Sequence, residues 1–301
     1  MTNQPKTALA LQGGGVYGAY AWGVLDRLLE DGLDVDRVCG VSSGGLLAVM
    51  LVQGLVKDGR NGARREMRKL WDRVRTANAL RPLQNGPMER FLWGWDLSNN
   101  PVFQGLDTAM RLFSPAQMNP LGHNPIRPVI NDVVDFKALR QTNAIALTIS
   151  ATDVETGQAQ FWTNADITAE TLQASCCLPQ VFHAVTIAGR SYWDGGFSGN
   201  PPLQPLLEPD LPDNLVLIRA QSPNRRGVPS TPAEIMNRMT EIACQGVLES
   251  ELKTLPESVR LISHEADTAL ANLPISSKFN AGDAFIATLF QAGRRAATAH
   301  I

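Results

Sequence analysis

Within its first 55 residues this chain twice runs from a short apolar segment straight into glycine, a pattern that leaves few folds open. Thr7-Ala8-Leu9-Ala10-Leu11 is a compact, mostly apolar run, which suits a strand buried on both faces of a parallel sheet, and Gly13-Gly14-Gly15-Val16-Tyr17-Gly18 follows it after Gln12 alone. From Ala19 to Glu30 the residues Trp22, Val24, Leu25, Leu28 and Leu29 recur at helical spacing, and Gly32 is placed to end that helix. Val35–Cys39 is a second short strand. It enters the turn Gly40-Val41-Ser42-Ser43-Gly44, and an apolar helix runs from Ser43 to Leu55. Strand, loop, helix, strand, sharp turn, helix is a βαβα unit, with both glycine turns at the carboxyl ends of neighbouring strands, where open α/β sheets place their ligands.

The remaining pattern extends the same architecture. Apolar runs predict strands at Ala144–Thr152, Gln158–Trp162, Val181–Ile187, Tyr192-Trp193 and Leu215–Ile218, and helices at Thr171–Leu178, Ala233–Leu252 and Ala284–Ala297. The expected fold is a three-layer α/β/α domain with a mainly parallel central sheet. At 301 residues and 44% hydrophobic, one domain over 1–301 can hold a large core. An irregular insertion or lid is expected at about 76–128, where Pro82, Pro87, Pro101, Pro115, Pro120, Pro125 and Pro128 interrupt any long element. It contains Phe91-Leu92-Trp93-Gly94-Trp95, which either lines an acyl-chain groove or fills a satellite core.

Charge excludes some partners. A formal net charge of -2 provides no global field for nucleic acid or an anionic membrane, so no nucleic-acid partner is expected. One local exception is Lys57–Arg75, where Lys57, Arg60, Arg64, Arg65, Arg68, Lys69, Arg73 and Arg75 face only Asp58, Glu66 and Asp72. This run could meet lipid headgroups, or form a solvated helix face with i,i+4 pairs. Cys39, Cys176, Cys177 and Cys244 lack CxxC spacing and read as reduced thiols. Met1–Leu11 lacks the apolar region of a signal peptide, and no apolar stretch reaches the roughly 18 residues of a spanning helix. The expected compartment is the cytoplasm, with transient contact at a membrane or lipid surface.

The glycine turns also carry chemistry. GxSxG is the spacing of a strained strand-to-helix elbow: Gly40 and Gly44 avoid clashes and leave Ser42 exposed at a helix start, where the dipole favours the hydroxyl as it loses its proton. The backbone amides of Gly13, Gly14 and Gly15, with help from the Ser43 amide, can meet the oxyanion that ester attack creates. The same loop, closed by Gly18, satisfies the GxGxxG dinucleotide pattern with Asp34 or Asp36 about 20 residues on, so an NAD(P)-binding oxidoreductase is the rival reading. The elbow at the end of the next strand favours the hydrolase. A base for the serine is not marked among His123, His183, His264 and His300, although a triad through His264 stays open. Far downstream, Asp194-Gly195-Gly196 sets a carboxylate on a loop that permits close approach.

Leu11-Gln12-Gly13-Gly14-Gly15-Val16-Tyr17-Gly18, Gly40-Val41-Ser42-Ser43-Gly44 and Tyr192-Trp193-Asp194-Gly195-Gly196 resemble, in that order, the three signatures of patatin-like phospholipases. Ala174-Ser175 followed by Pro179 and Phe182 resembles that family's lead-in to its aspartate loop, and the likeness covers roughly residues 7–200. The resemblance implies a lipid acyl hydrolase with a Ser-Asp dyad: Ser42 as nucleophile, Asp194 as proton acceptor, and no metal or cofactor. Tyr17 departs from the basic residue the family most often carries just before the last glycine of the first signature. A catalytically silent lipid-binding protein on the same fold is the other alternative. Phospholipid, lysophospholipid, neutral lipid and thioester substrates are all compatible with such a dyad.

Overall fold

The computed structural model describes residues 5–77, 84–225, 227–266 and 273–298. The opening unit forms as β1 (Thr7–Leu11), α1 (Gly18–Glu30), β2 (Arg37–Gly40) and α2 (Ser43–Thr76). Five helices follow: α3 (Pro87–Trp93), α4 (Pro101–Leu112), α5 (Pro115–Met118), α6 (Ile126–Val133) and α7 (Phe136–Gln141). The chain then returns to the sheet with β3 (Ala146–Asp153), β4 (Ala159–Thr163), α8 (Ala169–Ser175), β5 (Val185–Ile187) and β6 (Arg190–Asp194). It finishes with α9 (Gln204–Leu207), β7 (Asn214–Arg219), α10 (Pro232–Lys253), β8 (Arg260–Glu265) and α11 (Asp283–Thr298).

The strand order is β5-β6-β3-β2-β1-β7-β8, with β4 also paired to β3. From β3 to β8 the pairings are parallel; β4, β6 and β5 add antiparallel pairs at the other end. Because side chains alternate across a strand, each central strand serves two cores. Leu9, Leu11, Val38, Ile149 and Ile218 face the layer of α1, α2 and α11, whereas Ala8, Ala10, Cys39, Leu215 and Leu217 face Leu206 of α9 and Leu248 of α10. Helix, sheet and helix are thus three layers, as expected.

Several expectations are corrected. The helix expected to stop at Leu55 continues to Thr76 across a kink at Asp58 and Gly59, where Gly59 takes φ 54°. Beyond the kink the basic run meets partners from elsewhere in the fold: Arg64 binds Asp26 at 2.8 Å, Arg60 binds Asp34 at 2.6 Å and Arg73 binds Asp132 at 2.6 Å. Sequence composition missed this compensation because its carboxylates lie outside the run. The prolines of the insertion start helices rather than break them: Pro87, Pro101 and Pro115 each occupy a first helical turn, where a missing N–H leaves no hydrogen bond unmade. Pro82 lies outside the described residues. Trp95 packs on Phe285 with ring centroids 5.0 Å apart, while Phe91 is 86% exposed, so the aromatic cluster divides between core and surface. Strand β8 was not legible because it is a half-exposed edge with Arg260 and Glu265 at its ends. Among the described residues no helix is long and apolar enough to cross a membrane.

Candidate active site

The site is assembled at the carboxyl ends of β1 and β2. Gly40 pairs with Ile149 of β3, and Asp194 on the other side of β3 pairs with Ala151, two residues further along. Ser42 follows Gly40 by two residues, so the register brings Ser42 and Asp194 to the same height. The Ser42 hydroxyl lies near enough to the Asp194 carboxyl to favour its ionised form. Burial pushes Asp194 up to about 6, against the opposing pull of the Gly196 amide and the Ser42 hydroxyl. Asp194 is 6% exposed, and its Oδ1 accepts the Gly196 N–H at 2.9 Å.

The turn holding Ser42 is strained. Ser42 has φ 55° and ψ -126°, a backbone region that costs a non-glycine residue about 1–3 kcal/mol. Close packing enforces it: a Cβ on Gly44 would overlap the Leu11 carbonyl, and one on Gly40 would lie 2.5 Å from the Gly44 oxygen. The Ser42 N–H donates to the Ser175 hydroxyl at 2.9 Å, which fixes the turn to the end of α8. Burial together with the Asp194 charge raises the Cys176 thiol well above the usual range, with the nearby Ser42 hydroxyl opposing.

The glycine loop lies alongside. The Gly13 N–H donates to Asn200 Oδ1 at 2.7 Å, and the Gly14 N–H donates to Ser43 Oγ at 3.1 Å. Gly15, at φ 59°, opens the 3-10 turn Gly15–Tyr17 ahead of Gly18 and α1. Gly15 and Ser43 are the first residues of their helical turns, so neither amide has an acceptor within its turn. A Cβ on Gly18 would come within 2.8 Å of Ser43 Oγ, and one on Gly195 would overlap the Ser150 carbonyl. The sequence motifs Gly13–Gly18, Gly40–Gly44 and Asp194–Gly196 therefore converge on one place.

Four supporting residues hold these loops, of which Asn200 and Gln221 stand outside every motif singled out in the sequence. Asn200 ties the Asp194 loop to the glycine loop, and Gln12 accepts the Gln221 N–H at 2.9 Å while Gln221 Nε2 donates to the Gly13 carbonyl at 3.1 Å. Ser175 is the fourth. Asn200→Ala strands the buried Gly13 N–H, and the expected result is a loss of about 1–3 kcal/mol in denaturant unfolding. Stability within 0.5 kcal/mol of wild type, a threshold well below that range, would show the clamp to be dispensable.

The other expected candidates are engaged elsewhere or stand on distant strands. His183 Nε2 bonds the Asn119 carbonyl at 2.7 Å, and His264 stands on β8, three strands beyond β2, or about 14 Å at normal strand spacing. His300 is outside the described residues. Asp36 accepts the Thr7 N–H at 2.6 Å, which places it at the amino end of β1, opposite the glycine loop; Asp34 pairs with Arg60. Neither acid stands where a dinucleotide ribose would need it.

The comparisons with known proteins agree with the motif order. Two uncharacterised NTE family proteins, of Mycobacterium tuberculosis (strain CDC 1551 / Oshkosh) and Mycobacterium bovis, are each 25% identical over 242 residues, covering 79% of this chain and 56% of theirs. The chain thus spans about half the length of the curated relatives it matches. Among solved structures, VipD from Legionella pneumophila matches at TM-score 0.43 and 15% identity over 99% of this chain and 67% of that one. Human GIVD cytosolic phospholipase A2 matches at TM-score 0.41 and 12% identity over 84% and 46%. The family model described as patatin-like phospholipase matches residues 9–207, about two thirds of the chain, and the protein belongs to that family.

Proposed function

We propose that this chain is a lipid acyl hydrolase in which Ser42 attacks the ester carbonyl and Asp194 takes its proton. The observation that carries the reading is the strained backbone turn at Ser42 beside a buried carboxyl whose pKa has risen to about 6. A base for an alcohol works best when its pKa approaches the working pH, and burial supplies that shift here. As the Ser42 Oγ to carbonyl carbon bond forms, the proton passes to Asp194 and negative charge grows on the carbonyl oxygen. Collapse breaks the bond to the alcohol, which leaves with the proton from Asp194. Water then attacks the acyl-serine with Asp194 as base again, releasing the fatty acid and restoring Ser42.

The oxyanion is met by the amides of Gly15 and Ser43, each worth about 3–4 kcal/mol to the transition state. The Gly14 amide joins them when the Ser43 hydroxyl turns away. Gly13, held by Asn200, positions the loop. We read the whole chain as one domain with the 76–128 segment as its cover, working at a lipid surface in the cytoplasm. Support comes from Met88, Phe91 and Leu92 on α3, and from Leu112, Phe113 and Leu121, all exposed. Clustered exposed apolar residues mark contact surfaces. This cover is fastened by Leu97 to Ser276 at 2.9 Å on one side and by Asn119 to His183 at 2.7 Å on the other.

A fluorophosphonate probe should attach once, at Ser42, with mass spectrometry placing the adduct on that residue and no label in Ser42→Ala. Folded wild-type protein that stays unlabelled and turns over no ester, yet still binds vesicles, would instead mark a silent lipid-binding protein.

A further inference from the structure

Beside the glycine loop lies a small open cavity that the acyl-transfer reading leaves without a role. Tyr17, Gln221, Ser222, Asn224, Arg225 and Glu241 line it. Tyr17 belongs to the loop itself, and Gln221 Nε2 holds the Gly13 carbonyl, so the cavity opens next to where an ester would sit. Its charge is unbalanced. Glu241, 9% exposed at the side chain, is a single carboxylate facing Arg225 at 2.9 Å, Lys278 at 3.0 Å and Arg238 at 3.4 Å.

Burial alone would raise Glu241, yet Lys278, Asn237 and Arg225 hold it below its ordinary value, so it stays ionised against the three cations. Burial pulls Lys278 down while Glu241 opposes that pull, so the two arginines leave one positive charge in excess and a protonated Lys278 adds a second. Lys278 is also close to the glycine loop: its carbonyl lies 3.2 Å from the point a Cβ on Gly15 would occupy. Neutral donors share the cavity wall. The Tyr17 hydroxyl donates to Ser277 Oγ at 2.7 Å, because the Ser277 hydroxyl donates to the Pro274 carbonyl, and burial pushes Tyr17 up to about 12, so it stays a neutral phenol in the wall.

We propose that this cavity is a binding site for a phosphate group, with Arg225 as its direct cationic contact and Lys278 and Arg238 supplying the surrounding positive charge. An anion is what the site lacks for neutrality, and a guanidinium with hydroxyl and amide neighbours matches phosphate oxygens. Where the phosphate belongs to a lipid headgroup, the site selects phosphate-bearing acyl esters for Ser42. That deepens the acyl-hydrolase reading and rests on it.

The test uses wild type, Arg225→Gln, Lys278→Met and the charge-keeping Lys278→Arg. Thermal melting with inorganic phosphate needs no turnover. Phosphate should raise the melting temperature of wild type and Lys278→Arg, and should lose most of that effect in Arg225→Gln and Lys278→Met. Arg225→Gln leaves Lys278 and Arg238 to hold Glu241, so it keeps the fold if Lys278→Met does not. Hydrolysis of lysophosphatidylglycerol and of monoacylglycerol with the same acyl chain then identifies the source. A loss of about tenfold in kcat/KM on the phosphate ester alone, carried by KM, assigns the site to the headgroup. Phosphate stabilisation without that preference assigns it to free phosphate. Equal melting shifts in all four proteins, with no substrate-dependent loss, overturn the site. Fluorophosphonate labelling of Ser42 reports separately on the acyl-transfer reading.

Discussion

Ser42→Ala is expected to abolish ester turnover, by roughly 10⁴-fold or more in kcat, while leaving the melting temperature close to wild type. The expected stability follows from the backbone. Alanine keeps a Cβ and so keeps the strain of φ 55°, and the Ser175 hydroxyl still receives the amide of residue 42. Ser42→Gly separates the two contributions. Glycine enters that region without the steric cost, so this variant should be equally inactive yet more stable by about 1–3 kcal/mol in urea unfolding. On the proposed mechanism the strain belongs to function, because the packing of Gly40 and Gly44 against the ends of β1 and α2 holds the Ser42 turn in place. Ester turnover in Ser42→Ala within tenfold of wild type would remove Ser42 from the chemistry altogether. A Ser42→Gly protein that is less stable than wild type would remove the strain argument.

The amount legible in sequence differs between frame and support, and the difference has a physical origin. Buried parallel strands are apolar on both faces, so Thr7–Leu11 and Leu215–Ile218 announced themselves, and glycines forced by close approach marked the turns that follow β1 and β2. Residue choice there is dictated by neighbours near in sequence. Asn200 is dictated by a backbone amide 187 residues away, so nothing adjacent to it signals its use, and Ser175, which serves an amide 133 residues away, was marked only through the family resemblance of its segment. The same distance hid the neutralisation of the α2 arginines by Asp26, Asp34 and Asp132. The insertion was misread for a different reason. Proline both breaks a helix interior and begins a helix, and only the following residues decide: Asn100 accepts from Val102 and Phe103, and Ser114 from Gln117, capping helices that composition alone did not reveal.

Asp194→Asn should lose at least about 10³-fold in kcat, because an amide cannot take the serine proton, and the pH dependence of the wild type should show why. With its carboxyl at about 6 in the folded protein, Asp194 is ionised above that pH and able to act. Activity is therefore expected to rise about tenfold per pH unit up to pH 6 and to level off above pH 7. Stability should move in the opposite sense. In the unfolded chain the same carboxyl titrates near 3.8, so between pH 4 and pH 6 the folded state holds more protons than the unfolded one. Stability then falls as pH rises through that window, by about 3 kcal/mol from this group, and the cost is fully present above pH 6. Asp194→Asn has no such titration. It should match wild type below pH 4 and exceed it in urea unfolding at pH 7, while being inactive at both. On the proposed mechanism the two measurements are coupled through one carboxyl: the desolvation that would make Asp194 a usable base is the same desolvation that weakens the fold. A wild-type rate profile flat from pH 5 to 7, or an Asp194→Asn protein less stable than wild type at pH 7, would break that coupling and return the search for a base to His183 and His264.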